Sequence, residues 1–439
     1  MMGAYGVIAG VVGLAVDTFY RRTALGGAVP PHGPVLLVAN HPNGLIDPAV
    51  VLNTAARPVR MLAKAPLFDM PGISLLVKGM NALPVYRQKD GADTAHNAAT
   101  FRAVSDALVA GSAVLIFPEG ISHHEPQLQR LKTGAARMAL AAVDAGATGL
   151  VVVPIGLTYR DKARFRSHVA TLVGAPLAVA PFAERARGAD DVEVARALTE
   201  AIDGALREVT VNLEAWEDLP LLDAVDAIWR LDDPDRAARL KQLADGVTEL
   251  RARAPARLAA LRARVVEWVT RLHELGLAAR DFVPERGAAT AKPARALRFA
   301  ASNLVTLLVG LPVASFGAVF FAVPFWAVHL VFLLVRPSPD VAASVKVLAS
   351  LVFFPLWHVV ATVALAATVG LPWALAVAAL APLCGMTTRW FFRSRLRALR
   401  DAAVFVRLAF ARRARRALEA QRDELARAID DLVAVLDQR

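Results

Sequence analysis

The chain of 439 residues has one cysteine, Cys384, so it can form no intrachain disulfide and no cysteine-rich metal site. Cys384 lies in an apolar run, where its expected role is packing. No zinc-ligand spacing is present. His273-Glu274 begins like a zincin motif, but Leu277 stands where the second histidine belongs, and no metal is expected. Aromatic residues make up 7% and are not interleaved with basic ones in the manner of an RNA-binding face, which argues against a nucleic-acid partner. Charge is missing over two long stretches: Phe299–Val335 and Val347–Thr388 contain no Asp, Glu, Lys or Arg. Runs of that length argue against an ordinary buried helical core. Met1–Val16 is also uncharged. It lacks the basic start and cleavage pattern of a signal peptide, and it falls short of the ~20 residues needed to span a bilayer.

What is abundant complements these gaps. Hydrophobic residues reach 56%, and 50 Lys and Arg against 39 Asp and Glu leave a net charge of +11. The mean hydropathy is +0.44 and the sequence pI about 10.3. A chain both apolar and basic suits an anionic membrane surface.

The most informative stretch is Asn40–Pro48, Asn-His-Pro-Asn-Gly-Leu-Ile-Asp-Pro. It follows Val35-Leu36-Leu37-Val38-Ala39, an apolar run with the look of a buried strand. Imidazole titrates near neutrality. A carboxylate from Asp47 on the Nδ1–H of His41 would fix the tautomer that leaves Nε2 able to take a proton. The competing reading is a helix N-terminus, with Asn40 or Asn43 as cap and Pro42 in the first turn.

Three further segments follow: Gly79–Arg87 (Gly-Met-Asn-Ala-Leu-Pro-Val-Tyr-Arg), Phe117–Ser122 (Phe-Pro-Glu-Gly-Ile-Ser) and Val153–Tyr159 (Val-Pro-Ile-Gly-Leu-Thr-Tyr). The four together, over roughly residues 30–180, resemble the blocks of the glycerolipid acyltransferase family, which includes glycerol-3-phosphate and lysophosphatidate acyltransferases. The resemblance implies roles. His41 would be the general base and Asp47 its orienting partner. Arg87 would bind the acceptor's phosphate through its guanidinium fork. Asn43 and Gly44 in the turn, Glu119 and Gly120, and Lys132 in Leu131-Lys132-Thr133-Gly134 would belong to the acceptor pocket, with Pro154 lining the acyl side. One departure stands out. The usual spacing is His-x4-Asp, whereas five residues separate His41 from Asp47. On a regular helix the extra residue swings Asp47 by ~100°. The Pro42-Asn43-Gly44 turn can absorb it, because glycine tolerates positive φ. The longer spacing is similar to that of fungal-type enzymes acylating glycerol-3-phosphate or dihydroxyacetone phosphate.

The expected fold is an α/β catalytic domain with a mainly parallel sheet, followed by a helical insert and an all-α membrane region. The segments are an interfacial or half-inserted helix at 1–29, the catalytic domain at 30–180, the insert at 181–290, membrane hairpins at 291–400 and a basic amphipathic helix at 401–439. Burial of the first helix against the catalytic domain is the alternative. Gly3, Gly6, Gly10 and Gly13 form a small-residue stripe along it. Trp216, Trp229 and Trp268 are available to pack the insert, and His123 and His124 read as solvated loop residues. Each charge-free block carries a Val-Gly-Leu-Pro break, at Val309–Pro312 and Val369–Pro372, and so reads as two short helices, spanning or re-entrant. Basic flanks put the catalytic domain, the loop near Pro339 and the tail on the cytoplasmic side.

The expected activity moves a fatty acyl group from a thioester, acyl-CoA or acyl carrier protein, to the hydroxyl of glycerol-3-phosphate or dihydroxyacetone phosphate. No cofactor beyond that co-substrate is expected; the partners are the lipid membrane, the thioester donor and a phosphorylated three-carbon acceptor. Lysophosphatidate or another lysolipid is the alternative acceptor. A membrane scaffold or transporter with a degenerate acyltransferase domain is the rival of another class.

Overall fold

The structure, a computed structural model, describes residues 2–86, 97–186, 191–213, 218–229, 236–277, 279, 293–410 and 412–437. The chain forms two compact units. The first is Met1–Trp216 with Asp235–Lys241 and Pro337–Val347; the second is Glu217–Pro234, Gln242–Arg336 and Leu348–Arg439.

The first unit is built on a sheet of β1 (Tyr20–Gly26), β2 (Val35–Ala39), β3 (Val59–Lys64), β4 (Leu83–Val85), β5 (Ala113–Ile116), β6 (Val151–Tyr159), β7 (Ser167–Val173) and β8 (Leu177–Ala178). Their order is β1-β7-β6-β2-β5-β3-β4, with β8 also on β6. Every pairing is parallel except those of β6 with β7 and β8. β2 is central and buried throughout, so its unbroken apolar run is what a doubly covered parallel strand requires. Its alternate residues feed two cores. Val35, Leu37 and Ala39 join one with Val50, Leu115 and Ile155, and Leu36 and Val38 join the other with Leu108, Ala139 and Leu198.

Helices cover both faces: α1 (Met2–Phe19), α2 (Ile46–Ala55), α3 (Ile73–Gly79), α4 (Asn97–Val109), α5 (Gly134–Asp144), α6 (Ala180–Ala186) and α7 (Asp191–Val209). In α1, Val16 and Phe19 are buried in the first core while Val7, Val11 and Leu14 are exposed. The glycine stripe packs only in part. Gly6 and Gly10 face open space, and Gly13 lies against Asn53. The boundary expected at residue 180 falls short. Val194, Leu198, Ile202 and Leu206 recur at helical spacing along α7 and complete the second core.

The later helices are α8 (Asp218–Trp229), α9 (Arg236–Arg253), α10 (Pro255–Glu274), α11 (Pro293–Phe320), α12 (Ala322–Val335), α13 (Ala342–Val369), α14 (Leu371–Phe410) and α15 (Arg412–Asp437). In the second unit Trp268 is buried on α10 and donates its indole N–H to the carbonyl of Leu418. Trp216 and the side chain of Trp229 lie outside the described residues. Within the segment at 401–439, α15 packs inside the second unit. Leu418, Leu425, Ile429 and Leu432 of α15 pack with Leu261, Val265 and Trp268 into one core.

Among the described residues, α13 and Leu371–Leu396 of α14 are long and apolar enough to cross a membrane, and a third span results if Thr306–Phe320 and Ala322–Val335, bent by 51°, act as one. The second charge-free block breaks at Gly370, as expected. The first does not break at Val309–Pro312: α11 runs through Pro312 and ends at Phe320. A proline removes one N–H, whereas opening a helix in apolar surroundings leaves several backbone groups unpaired.

Candidate active site

β2, β5 and β6 are mutually parallel, so their C-terminal ends lie at one edge of the sheet, and three of the four motifs of the sequence sit just beyond two of them and at the end of the third. Beyond β2, Asn40 locks onto β6: its amide donates to the Leu157 carbonyl at 3.0 Å and accepts the Leu157 N–H at 2.7 Å. The chain then turns through Pro42–Leu45, and α2 begins at Ile46. A helix starting at Pro42 is thereby excluded.

His41 and Asp47 meet across this turn, with Nδ1 2.9 Å from Oδ2. The Nδ1–H donates to the carboxylate, which leaves Nε2 with its lone pair. The imidazole is stacked on Phe117, the centroids 4.0 Å apart and the planes 14° from parallel. Asp47 is wholly buried. Its Oδ2 also accepts the Asn43 N–H at 2.6 Å, and Oδ1 accepts the Tyr159 hydroxyl at 2.7 Å. Three donors compensate the buried charge, and a place in the first turn of α2 adds the favourable end of the helix dipole. The Tyr159 phenol is held well above its ordinary value, first by burial and then by the Asp47 charge, so it remains a donor.

The extra residue is absorbed as the sequence suggested: Gly44 has φ +39°. Asn43 is buried, and its side-chain N–H donates to the Tyr20 hydroxyl at 2.9 Å. That hydroxyl in turn donates to the carbonyl of Lys162. Asn43 thus holds the turn from inside. The N–H groups of Asn43, Leu45, Ile46 and Asp47 are all bonded. The start of α2 is therefore a poorer source of oxyanion donors than its sequence position suggests.

Glu119 enters from the loop after β5. It is buried; Oε1 accepts the His41 N–H at 2.9 Å and Oε2 the Gln129 N–H at 2.7 Å. It braces the backbone of His41. His123, read from sequence as solvated, is the correction. Its Nδ1 accepts the Glu125 N–H at 3.1 Å, so its proton lies on Nε2, 2.5 Å from Glu119 Oε2. His124 is exposed.

Gly120 has φ +71°, and the Lys132 side chain lies against it. Pro154 is buried in β6 opposite Val38, at the point where β6 changes partner from β8 to β7, so its missing N–H costs no ladder bond. This places it in the domain interior. Arg87 lies outside the described residues. Sequence reasoning missed Lys162, which donates to the His123 carbonyl at 3.3 Å. Burial draws its ammonium below the ordinary value, while Asp47 and Asp340 oppose that shift.

A family model described as acyltransferase matches residues 24–158. This segment is an acyltransferase domain. Glycerol-3-phosphate O-acyltransferase 2 of Saccharomyces cerevisiae is 36% identical over 141 residues, 32% of this chain and 19% of that protein. Glycerol-3-phosphate O-acyltransferase 1 of the same yeast is 27% identical over 132 residues, 29% of this chain and 17% of that protein. The chain thus spans under a fifth of either yeast protein's length. The solved 1-acyl-sn-glycerophosphate acyltransferase of Thermotoga maritima is 19% identical, over 45% of this chain and 76% of its own, with a TM-score of 0.34.

Proposed function

We propose that the protein transfers a fatty acyl group from an acyl thioester, acyl-CoA or acyl carrier protein, to the hydroxyl of glycerol-3-phosphate or dihydroxyacetone phosphate. The observation carrying this reading is the His41–Asp47 pair, assembled at 2.9 Å within the acyltransferase domain despite the longer spacing. His41 Nε2 takes the proton of the acceptor hydroxyl as its oxygen attacks the thioester carbonyl, and Asp47 stabilises the imidazolium. The C–S bond of the tetrahedral intermediate then breaks, and the departing thiolate takes the proton back from His41. No covalent enzyme intermediate is needed when both substrates bind together. Arg87 and Lys132 supply positive charge for the acceptor's phosphate. The identity to two glycerol-3-phosphate O-acyltransferases supports that acceptor over a lysolipid.

We place the enzyme in a membrane through its apolar helices, with the catalytic domain on the cytoplasmic side. Radiolabelled acyl-CoA and acyl carrier protein, offered with glycerol-3-phosphate, dihydroxyacetone phosphate and lysophosphatidate in turn, test the reading. Labelled monoacyl product from a three-carbon phosphate is the expected result. Product from lysophosphatidate alone would move the assignment to the second acylation, and no product from any acceptor would leave the scaffold or transporter reading.

A further inference from the structure

The acyltransferase domain contains a piece of chain from far downstream. Residues 337–347, which run from just past the first charge-free block to the first residue of the second, belong to the first unit, nearly 300 residues beyond the dyad. Their anchoring is polar and apolar at once. Ala343 and Val347 are buried in the core that also holds Val35 and Ile46. Lys346 donates to the carbonyl of Ala163 at 2.8 Å.

Two struts then reach the loops on either side of His41. The buried hydroxyl of Ser344 accepts the Leu45 N–H at 3.1 Å, inside the turn that holds the extra residue. Asp340 Oδ2 accepts the Ser122 hydroxyl at 2.6 Å, in the loop that carries Glu119. A side chain at Gly44 would meet the Asp340 carbonyl and the Ser344 hydroxyl, both at 3.1 Å, so the segment closes over the turn with no room to spare. Burial opposes ionisation of Asp340, but hydrogen bonds from Ser122 and Ser338 hold its carboxyl below the ordinary value, which keeps it an acceptor at neutral pH.

We propose that this segment is part of the catalytic apparatus, with Ser344 and Asp340 as positioning residues that hold the long turn and the Ser122 loop in register with His41. The inference rests on the acyl-transfer reading. In it, the stretch between the apolar blocks completes the active site instead of merely connecting helices. The same helix has residues to spare: 348–369, the 22 residues of α13 beyond the segment, still extend ~33 Å, enough for a hydrocarbon core of ~30 Å.

The test uses the full chain in lipid nanodiscs, with Ser344→Ala and, as an independent strut, Ser122→Ala. Thermal unfolding checks that each variant is folded. Each should lower kcat ~10-fold while KM for donor and acceptor stays within ~2-fold, the signature of a misplaced base and not of lost binding. Hydrogen exchange read by mass spectrometry should quicken in the peptide containing Leu45 when Ser344 is alanine. Folded variants with wild-type kcat, a rise in KM alone, or unchanged exchange at Leu45 would each overturn the proposal. If the wild-type chain transfers no acyl group, the functional reading fails. The exchange result then still decides whether Ser344 holds the turn.

Discussion

The acyltransferase sheet and the apolar helices use the same side chains in opposite ways. In the sheet, Leu36, Leu37 and Leu115 are completely buried; on the helices, Val319, Leu334 and Trp373 are each at least 70% exposed. Polar atoms divide the other way. The sheet domain buries Asn43, Asp47 and Glu119 and bonds each one: Asp47 accepts the Asn43 N–H and the Tyr159 hydroxyl, Asn43 donates to Tyr20, and Glu119 accepts the His41 N–H. The helices meet through small residues: a side chain at Gly317 of α11 would strike the Cys384 carbonyl and the Thr388 hydroxyl of α14. Thr388 itself donates to the backbone of Ala314 and of Cys384. One region is organised against water to protect a site. The other has the outward apolar surface and close small-residue contacts expected where lipid is the solvent.

That contrast yields graded expectations. Replacing His41 with alanine removes the base and should lower turnover by ~10²–10⁴ without unfolding the protein, read from initial rates and circular dichroism. Gly44→Val places a β-branched side chain at positive φ against Asp340 and Ser344. Strain of ~1–3 kcal/mol should appear as a lower melting temperature together with lost activity. Tyr159→Phe takes one donor from the buried Asp47, and ~1.5 kcal/mol or more of lost charged hydrogen bonding should cut kcat about 10-fold. Leu334→Ala, on the outward face of α12, should change thermal stability in lipid by no more than ~0.5 kcal/mol. A loss of several kcal/mol there would mean that the exposed face is covered by protein and the comparison is wrong.

The dyad was legible in the sequence because its parts are six residues apart and the turn between them carries its own glycine. The parallel sheet was legible for the same reason, since β2 and β5 are short unbroken apolar runs. What supports the dyad was not. Tyr159 reaches Asp47 from 112 positions away and Ser344 reaches Leu45 from 299, and neither pairing leaves a local pattern. Glu119 was singled out, but its role as a brace depends on backbone N–H groups, which sequence does not display. His123 was misjudged because an adjacent His-His pair in a polar loop resembles solvated residues until the Glu119 carboxylate folds beneath it.

The central claim is that His41 and Asp47 act as one unit across the long turn. A double-mutant cycle on kcat with Asp47→Asn and His41→Ala tests it most directly. Asp47→Asn alone should slow acyl transfer at least ~100-fold, because the amide can hold the wrong imidazole tautomer and cannot stabilise the imidazolium. Added to His41→Ala, it should cost almost nothing more, since the carboxylate then has no imidazole to orient. Independent, multiplying losses in the double variant would contradict the account.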